Sequence, residues 1–328
     1  MDRSRAPLTL LPAFVAMYLP FCAAEIRPTI VPPDAPAPSL WVEPIDLEDR
    51  DLFYGPWGRE RAPRPDDRYI LVQHKHSGIN PGLTVLDSEG REWSVKQASE
   101  EGPVEAPIEV VLSRVLAAVG YHQPPVYYLG SFTLVDDWGT RTVAGGRFRA
   151  KVKGLKDRGE WSWQQNPFVG TRPYHGLLAI LMLFNSSDIK NSNNTLYEFK
   201  SARGLEHWYV ARDIGTALGT TGRLAPEKGN PDAFERDRFI AGIRDGYVEF
   251  DYHGWHQELV RRRLTPDDVR WAGDLLARLS DRQWSDAFRA GGYEPDIAAR
   301  FIGALRHRIG QTQQLAIGTS AAGRPQER

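Results

Sequence analysis

The sequence predicts an α+β protein, and three observations carry that prediction. Residues 68–153 hold short β-rich runs, parted by Gly, Asn and Asp turns, around one helical segment. Residues 231–312 hold long runs that read as helix. Between them lie two polar strings, "NSSDIKNSNN" (185–194) and "WYVARDIGTALG" (208–219), each fed by an apolar run. Strands first and helices after, with polar loops at the join, is the order of an α+β architecture with segregated layers.

The elements follow in chain order. Arg3 and Arg5 precede an apolar stretch, Leu8–Ala24, that closes on Cys22-Ala23-Ala24. That layout predicts a secretory signal peptide over 1–24, and hence an exported chain, periplasmic or extracellular. If the leader is not used, the protein is cytoplasmic. Pro12 and Pro20 break the stretch, so no stable membrane span is expected. Cys22 is the one cysteine of the chain and would leave with the leader, so a disulfide scaffold and a thiol nucleophile are excluded. Residues 25–67 are rich in proline and predict an arm or linker, with Leu40, Trp41, Val42, Leu52, Phe53, Tyr54 and Trp57 available for docking.

From Tyr69 the runs "RYILVQHK", "GLTVLDS" and "REWSVKQA" read as strands of a small antiparallel sheet. "APIEVVLSRVLAAVGY" reads as a helix, with Ile108, Val111, Leu112, Val115 and Leu116 on one face, Pro107 in its first turn and Gly120 as its stop. "PPVYYLGSFTLV" and "RTVAGGRFRAKV" read as two more strands. The helical run Leu177–Phe184 leads into the first polar string. "NTLYEF" and "HWYVARD" read as paired strands around the turn "KSARGLE". Five further helices are expected from "PDAFERDRFIAGIRD", "YHGWHQELVRR", "TPDDVRWAGDLLARLS", "DRQWSDAFRAGG" and "EPDIAARFIGALRHRIGQT", with a start signature at Thr265-Pro266-Asp267-Asp268. The tail 319–328 reads as disordered.

Composition bounds the function. The 328 residues suit one large domain or two ordinary ones, and 41% hydrophobic with 25% charged is ordinary for a chain with a substantial core. Lys and Arg number 41 against 42 Asp and Glu, a net charge of −1. No global field then draws nucleic acid or anionic membrane, and any phosphate site must be local. There is no G-x-S-x-G elbow to support a serine hydrolase.

Asp188 with Asn193 five residues on, and Asp213 opening a Gly-containing loop, are the parts phosphoryl transfer needs. One carboxylate stands near the attacking hydroxyl, and amide and carboxylate oxygens stand ready for Mg²⁺. "DIKNSN" resembles the Asp-Arg-His-Asn-Ser-Asn catalytic loop of phosphoinositide lipid kinases, and "DIGTALG" their Asp-Phe-Gly-His-x-Leu-Gly segment. Asp188-Ile189-Lys190 is similar to the Asp-Leu-Lys of Ser/Thr protein kinases, and "GLLAILMLFNSSD" to the helix before a HipA-type catalytic loop. The likeness runs loosely from Tyr69 to Gly219 and is sharp in the two loops. It departs from the pattern at Ile214, where Phe is usual, and in lacking a G-x-G-x-x-G turn.

The resemblance implies an atypical kinase with a two-lobed protein-kinase-like fold, an N-lobe over 68–153 and a C-lobe over 154–318. ATP would be the co-substrate and Mg²⁺ or Mn²⁺ the metal. Asp188 would position or deprotonate the acceptor, Lys190 would stabilise the transferring phosphate, and Asn193 and Asp213 would ligate metal. Asn191 and Asn194 are the alternatives to Asn193. Lys96, on the third strand, would hold the α- and β-phosphates, oriented by Glu109 or else Glu105. Gly78 and Gly82 would cover the phosphates, with Lys75 adding charge, and Trp161, Trp163 and Phe168 would wall the cleft near the base. The acceptor hydroxyl, the choice of phosphoryl over AMP transfer, and the oligomeric state are left open. A pseudokinase that binds a protein or glycan partner is the alternative function.

Overall fold

The strands of the first half close on themselves around one set of inward side chains, Tyr69, Val85, Trp93, Val95, Phe132 and Phe148 among them. In a computed structural model, which describes residues 36–75, 82–97, 104–222 and 226–315, strand β1 (Ala37–Ser39) comes from the Pro-rich segment. It is followed by β2 (Arg68–Lys75), β3 (Gly82–Leu86), β4 (Glu92–Gln97), β5 (Val126–Asp136) and β6 (Gly139–Ala150). The last five form a closed barrel in the order β2-β3-β4-β6-β5. An antiparallel sheet was expected, and four of the five pairings are antiparallel. The fifth is parallel, β2 to β5, with Tyr69 opposite Leu134, and it shuts the barrel. Closure removes both sheet edges. Inside it stack Tyr69, Trp93, Phe132 and Phe148, with Val85 and Val95.

Helix α1 (Glu105–Ala118) sits between this barrel and helix α5 (Asp281–Ala290). One buried face was expected, yet the helix is buried all round from Ala106 to Ala118. A helix buried on every side belongs between two layers, and Glu109, Ser113 and Arg114 are buried here with the apolar residues. Gly120 ends it with φ +102, and a Cβ there would stand 2.1 Å from the Val42 carbonyl oxygen. The arm from Pro36 is therefore part of the body. Val42 N–H donates to the Gly120 carbonyl, and Leu40, Leu47 and Leu52 are buried in the main core.

After the connector 151–155 come β7 (Lys156–Asp157), α2 (Arg172–Leu183), β8 (Asn194–Ser201) and β9 (Gly204–Ala211). The hairpin β8–β9 joins β7 and β1 in a sheet of order β1-β9-β8-β7. Two helical expectations are corrected. Only α3 (Pro231–Arg236) forms in its run, and Ile240–Arg244 and Tyr247–Phe250 make the hairpin β10–β11. Its Asp245-Gly246 turn takes two positive φ values, the geometry that tight hairpins favour. The run around Gln257–Leu259 is a single 3-10 turn. The remaining helices are α4 (Pro266–Ala277), α5 and α6 (Pro295–Gln313). Thr265 and Asp268 exchange capping bonds at the start of α4. Among the described residues, no helix is long and apolar enough to cross a membrane. The expected leader 1–24, the turn glycine Gly78 and the tail 319–328 lie outside the described residues.

Candidate active site

The loop after α2 is built by its own backbone. Lys190 N–H donates to Asp188 O at 2.9 Å, and Asn193 N–H to Lys190 O at 3.1 Å. Asn193 then turns its side-chain nitrogen to Asp188, 2.6 Å from the backbone oxygen and 3.1 Å from Oδ2. Lys190 Nζ lies 2.7 Å from Asp188 Oδ1 and 4.6 Å over the Trp255 ring. Asp188, Lys190 and Asn193 are thus one cluster.

The second loop is pinned to the first. Arg212 N–H donates to Asn193 O at 3.0 Å, and Ser187 N–H to Thr216 O at 3.0 Å. Asp213 takes a left-handed φ of +49, which costs a non-glycine residue of order 1 kcal/mol. Its carboxylate makes no hydrogen bond or ion pair among the described residues. Gly215 comes so close to the start of α1 that a Cβ would stand 2.6 Å from the Glu105 carbonyl oxygen. A larger residue there would push the Asp213 loop away from the barrel helix.

On the barrel, β4 puts Trp93 and Val95 inward and Ser94 and Lys96 outward. Lys96 Nζ is 2.7 Å from Glu105 and 3.9 Å from Glu109. Glu109 was the favoured partner, but it gives its other oxygen to Arg147 at 3.0 Å, and Glu105 makes the tighter bond. Glu105 also meets Lys228, from the chain beyond the Asp213 loop. Burial works against the Lys96 charge, but attraction to Glu109, Glu105 and Asp213 leaves its pKa above the ordinary lysine value. Burial likewise opposes the Glu105 charge, yet Lys96 and Lys228 pull its pKa down to about 2. Gly215 against Glu105, and Glu105 against Lys96, link the second loop to β4. Gly82 stands in register with Lys96 on one side and Lys75 on the other.

Asn193 and Asp213 carry side-chain oxygens with no hydrogen-bond partner among the described residues, where no three His, Cys, Asp or Glu side chains cluster as a metal site. Asn193 commits its amide nitrogen to Asp188 and keeps its oxygen, and Asp213 keeps both carboxylate oxygens. Two such ligands, with phosphate and water oxygens, suit Mg²⁺. The alternatives are less available. Asn191 Oδ1 accepts from Trp163 N–H at 2.9 Å, and Asn194 is 2% exposed, with its amide nitrogen donating to Trp161 O at 3.1 Å. Trp161 and Trp163 are accordingly core residues behind the loop rather than a wall for a base, since their side chains join the main core under β8–β9.

Sequence reasoning missed Arg147, Arg149 and Arg212. Arg147 and Arg149 flank the inward Phe148 and share the outer face with Lys96 and Ser94, their register partners. Period-two alternation in "GGRFRAK" was the available signal. Lys228 had none, because only the tertiary fold brings it to Glu105.

No family model and no curated protein matches the sequence. Among solved structures, the chain is similar to the crystal structure of a Helicobacter pylori proinflammatory kinase, CtkA. The identity is 9% and the TM-score 0.31, over 75% of this chain and 99% of that one. It is a weak structural neighbour.

Proposed function

We propose that the chain is a kinase-like phosphotransferase with a two-lobed, protein-kinase-like core, moving the γ-phosphoryl of a nucleotide such as ATP to a hydroxyl. The observation that carries the reading is the joining of three distant segments. The Asp188–Asn193 loop is bonded to the Asp213 loop, whose Gly215 packs on Glu105, the carboxylate that holds Lys96. Those are the parts phosphoryl transfer asks for, supplied from non-adjacent stretches of chain.

In this reading Lys96 holds phosphate oxygens, and Glu105 and Glu109 hold Lys96. Asp188 accepts the proton of the acceptor hydroxyl as that oxygen bonds to the γ-phosphorus. The bond from phosphorus to the β-bridging oxygen breaks, and the nucleoside diphosphate leaves with the electron pair. Lys190, ion-paired to Asp188, faces the charge on the transferring group. Asn193 and Asp213 would hold Mg²⁺, which when bound neutralises charge on the phosphate oxygens.

The test is a paired measurement on wild type and Asp188→Ala of Mg²⁺-ATP binding and of phosphate transfer to an acceptor panel. The variant should keep affinity and lose turnover by on the order of 10²-fold or more. Equal turnover removes Asp188 from the mechanism. Binding without turnover in the wild type favours a binding module on the same fold.

A further inference from the structure

Beside the connector lies a cavity of about 600 Å³, bounded by the outer face of β4 and β6, the connector, and the β7–β8 edge. Lys75 apart, none of the residues given a role in phosphotransfer lines it. Six cations line it, Lys75, Arg149, Lys151, Lys153, Lys156 and Arg212, against the two acids Glu92 and Asp157. In a chain of net charge −1 this is a local concentration of positive charge.

The pairing within the cavity is incomplete. Lys151 meets Glu92 at 3.1 Å, Lys156 meets Glu198 at 3.5 Å, and Arg212 meets Asp157 at 3.6 Å and the Tyr197 hydroxyl at 2.8 Å. Among the described residues, Lys75 Nζ donates to the Ser94 hydroxyl, at 2.9 Å, and to no acid. Arg149 has no acid partner among the described residues, and its buried Nη1 has no acceptor. Burial, then the like charges of Arg147 and Arg212, push the Arg149 pKa down to about 10. Burial, then the like charges of Arg149, Arg147 and Arg212, lower the Lys75 pKa. A buried donor without an acceptor, among like charges, destabilises the unliganded protein. A phosphate relieves both terms, because a guanidinium fork matches two of its oxygens and its charge neutralises the crowd.

The cavity is offset from the Lys96 end of the cleft. Lys96 is in register with Arg147, and Ser94 with Arg149, so Arg149 stands two residues along β6, about 7 Å nearer the connector. We propose that this cavity binds a phosphate group other than the one transferred, so that the ligand of the cleft is anionic at its connector end as well as at Lys96. The assignment of that group to a substrate rests on the phosphotransfer reading; the anion site rests on the cavity itself. The phosphate belongs either to the sugar of the nucleotide donor or to a phosphorylated acceptor.

The test uses the full chain in low salt without divalent cations. Calorimetry compares adenosine 3′-phosphate with adenosine, and a hexose 6-phosphate with the hexose, on wild type and on Arg149→Met, which keeps the aliphatic stem. At least one ester should bind wild type about tenfold or more tighter than its parent compound, and Arg149→Met should lose that advantage. Preference for the nucleoside ester assigns the site to the donor, and preference for the sugar ester to the acceptor. Unliganded Arg149→Met should melt no lower than wild type, since the lost charge was unpaired. The proposal is overturned if neither ester beats its parent, if wild type and variant bind alike, or if the unliganded variant melts lower. Failure of the phosphotransfer reading is read elsewhere, in Mg²⁺-ATP binding that ignores Asp213, and leaves the anion site standing.

Discussion

Glu105→Gln removes one charge from the point where barrel, α1 and the chain beyond Asp213 meet, with little change of shape. The carboxylate lies 2.7 Å from Lys96, also meets Lys228, and its side chain is 16% exposed. Its pKa falls from the ordinary 4.5 to about 2, which is worth on the order of 3 kcal/mol of stability at neutral pH. The group's folded pKa is depressed, so this stability is fully present above about pH 4.5 and is lost as pH falls toward 2. At pH 3 roughly 1–1.5 kcal/mol of it remains. Urea unfolding of both proteins at pH 7 and pH 3 should therefore show a stability gap near 3 kcal/mol that shrinks by about half or more. A gap that is the same at both pH values, or below about 1 kcal/mol at pH 7, would refute the assignment of Glu105 as the buried anchor of Lys96.

Two further outcomes are expected. Asp213→Asn should lose most Mg²⁺-dependent stabilisation by ATP in a thermal-shift titration while the unliganded melting temperature stays close to wild type, because its carboxylate has no bond to lose; equal stabilisation of both proteins would remove Asp213 as a ligand. Arg308 on α6 donates to the carbonyls of Leu183, Phe234 and Asp237 and to Asn185 Oδ1, within 2.6–3.0 Å, and so holds the end of α2 that feeds the Asp188 loop. Arg308→Ala should cost about 3–5 kcal/mol in urea unfolding, since it strands buried acceptors; a loss below about 1 kcal/mol would show that water replaces the guanidinium.

What the sequence determined by itself is what short-range geometry controls. Strand alternation put Lys96 on the face opposite Trp93 and Val95, because successive side chains of a strand point to opposite faces. The Thr265–Asp268 box fixed the start of α4 through bonds spanning three residues. The spacing of Asp188 and Asn193 named a pair whose bonds lie within a single loop. The Asp245-Gly246 hairpin signal was equally local and was overridden by a helical reading of the residues around it.

Choices among near-equivalent residues needed the tertiary structure. Glu105 and Glu109 are four apart and share a helix face, so spacing cannot rank them. The ranking comes from Arg147, which draws Glu109, and from Lys228, which reaches Glu105 from more than a hundred residues away. Asn193 is separated from Asn191 and Asn194 because the Trp163 N–H, on another segment, takes the Asn191 oxygen and because Asn194 is buried against Trp161. The parallel pairing that closes the barrel, the grip of Arg308 on α2, and the crowd of cations at the connector likewise depend on groups far apart in the chain. Each exists once loop closure has brought those groups together, and a local pattern carries no trace of that step.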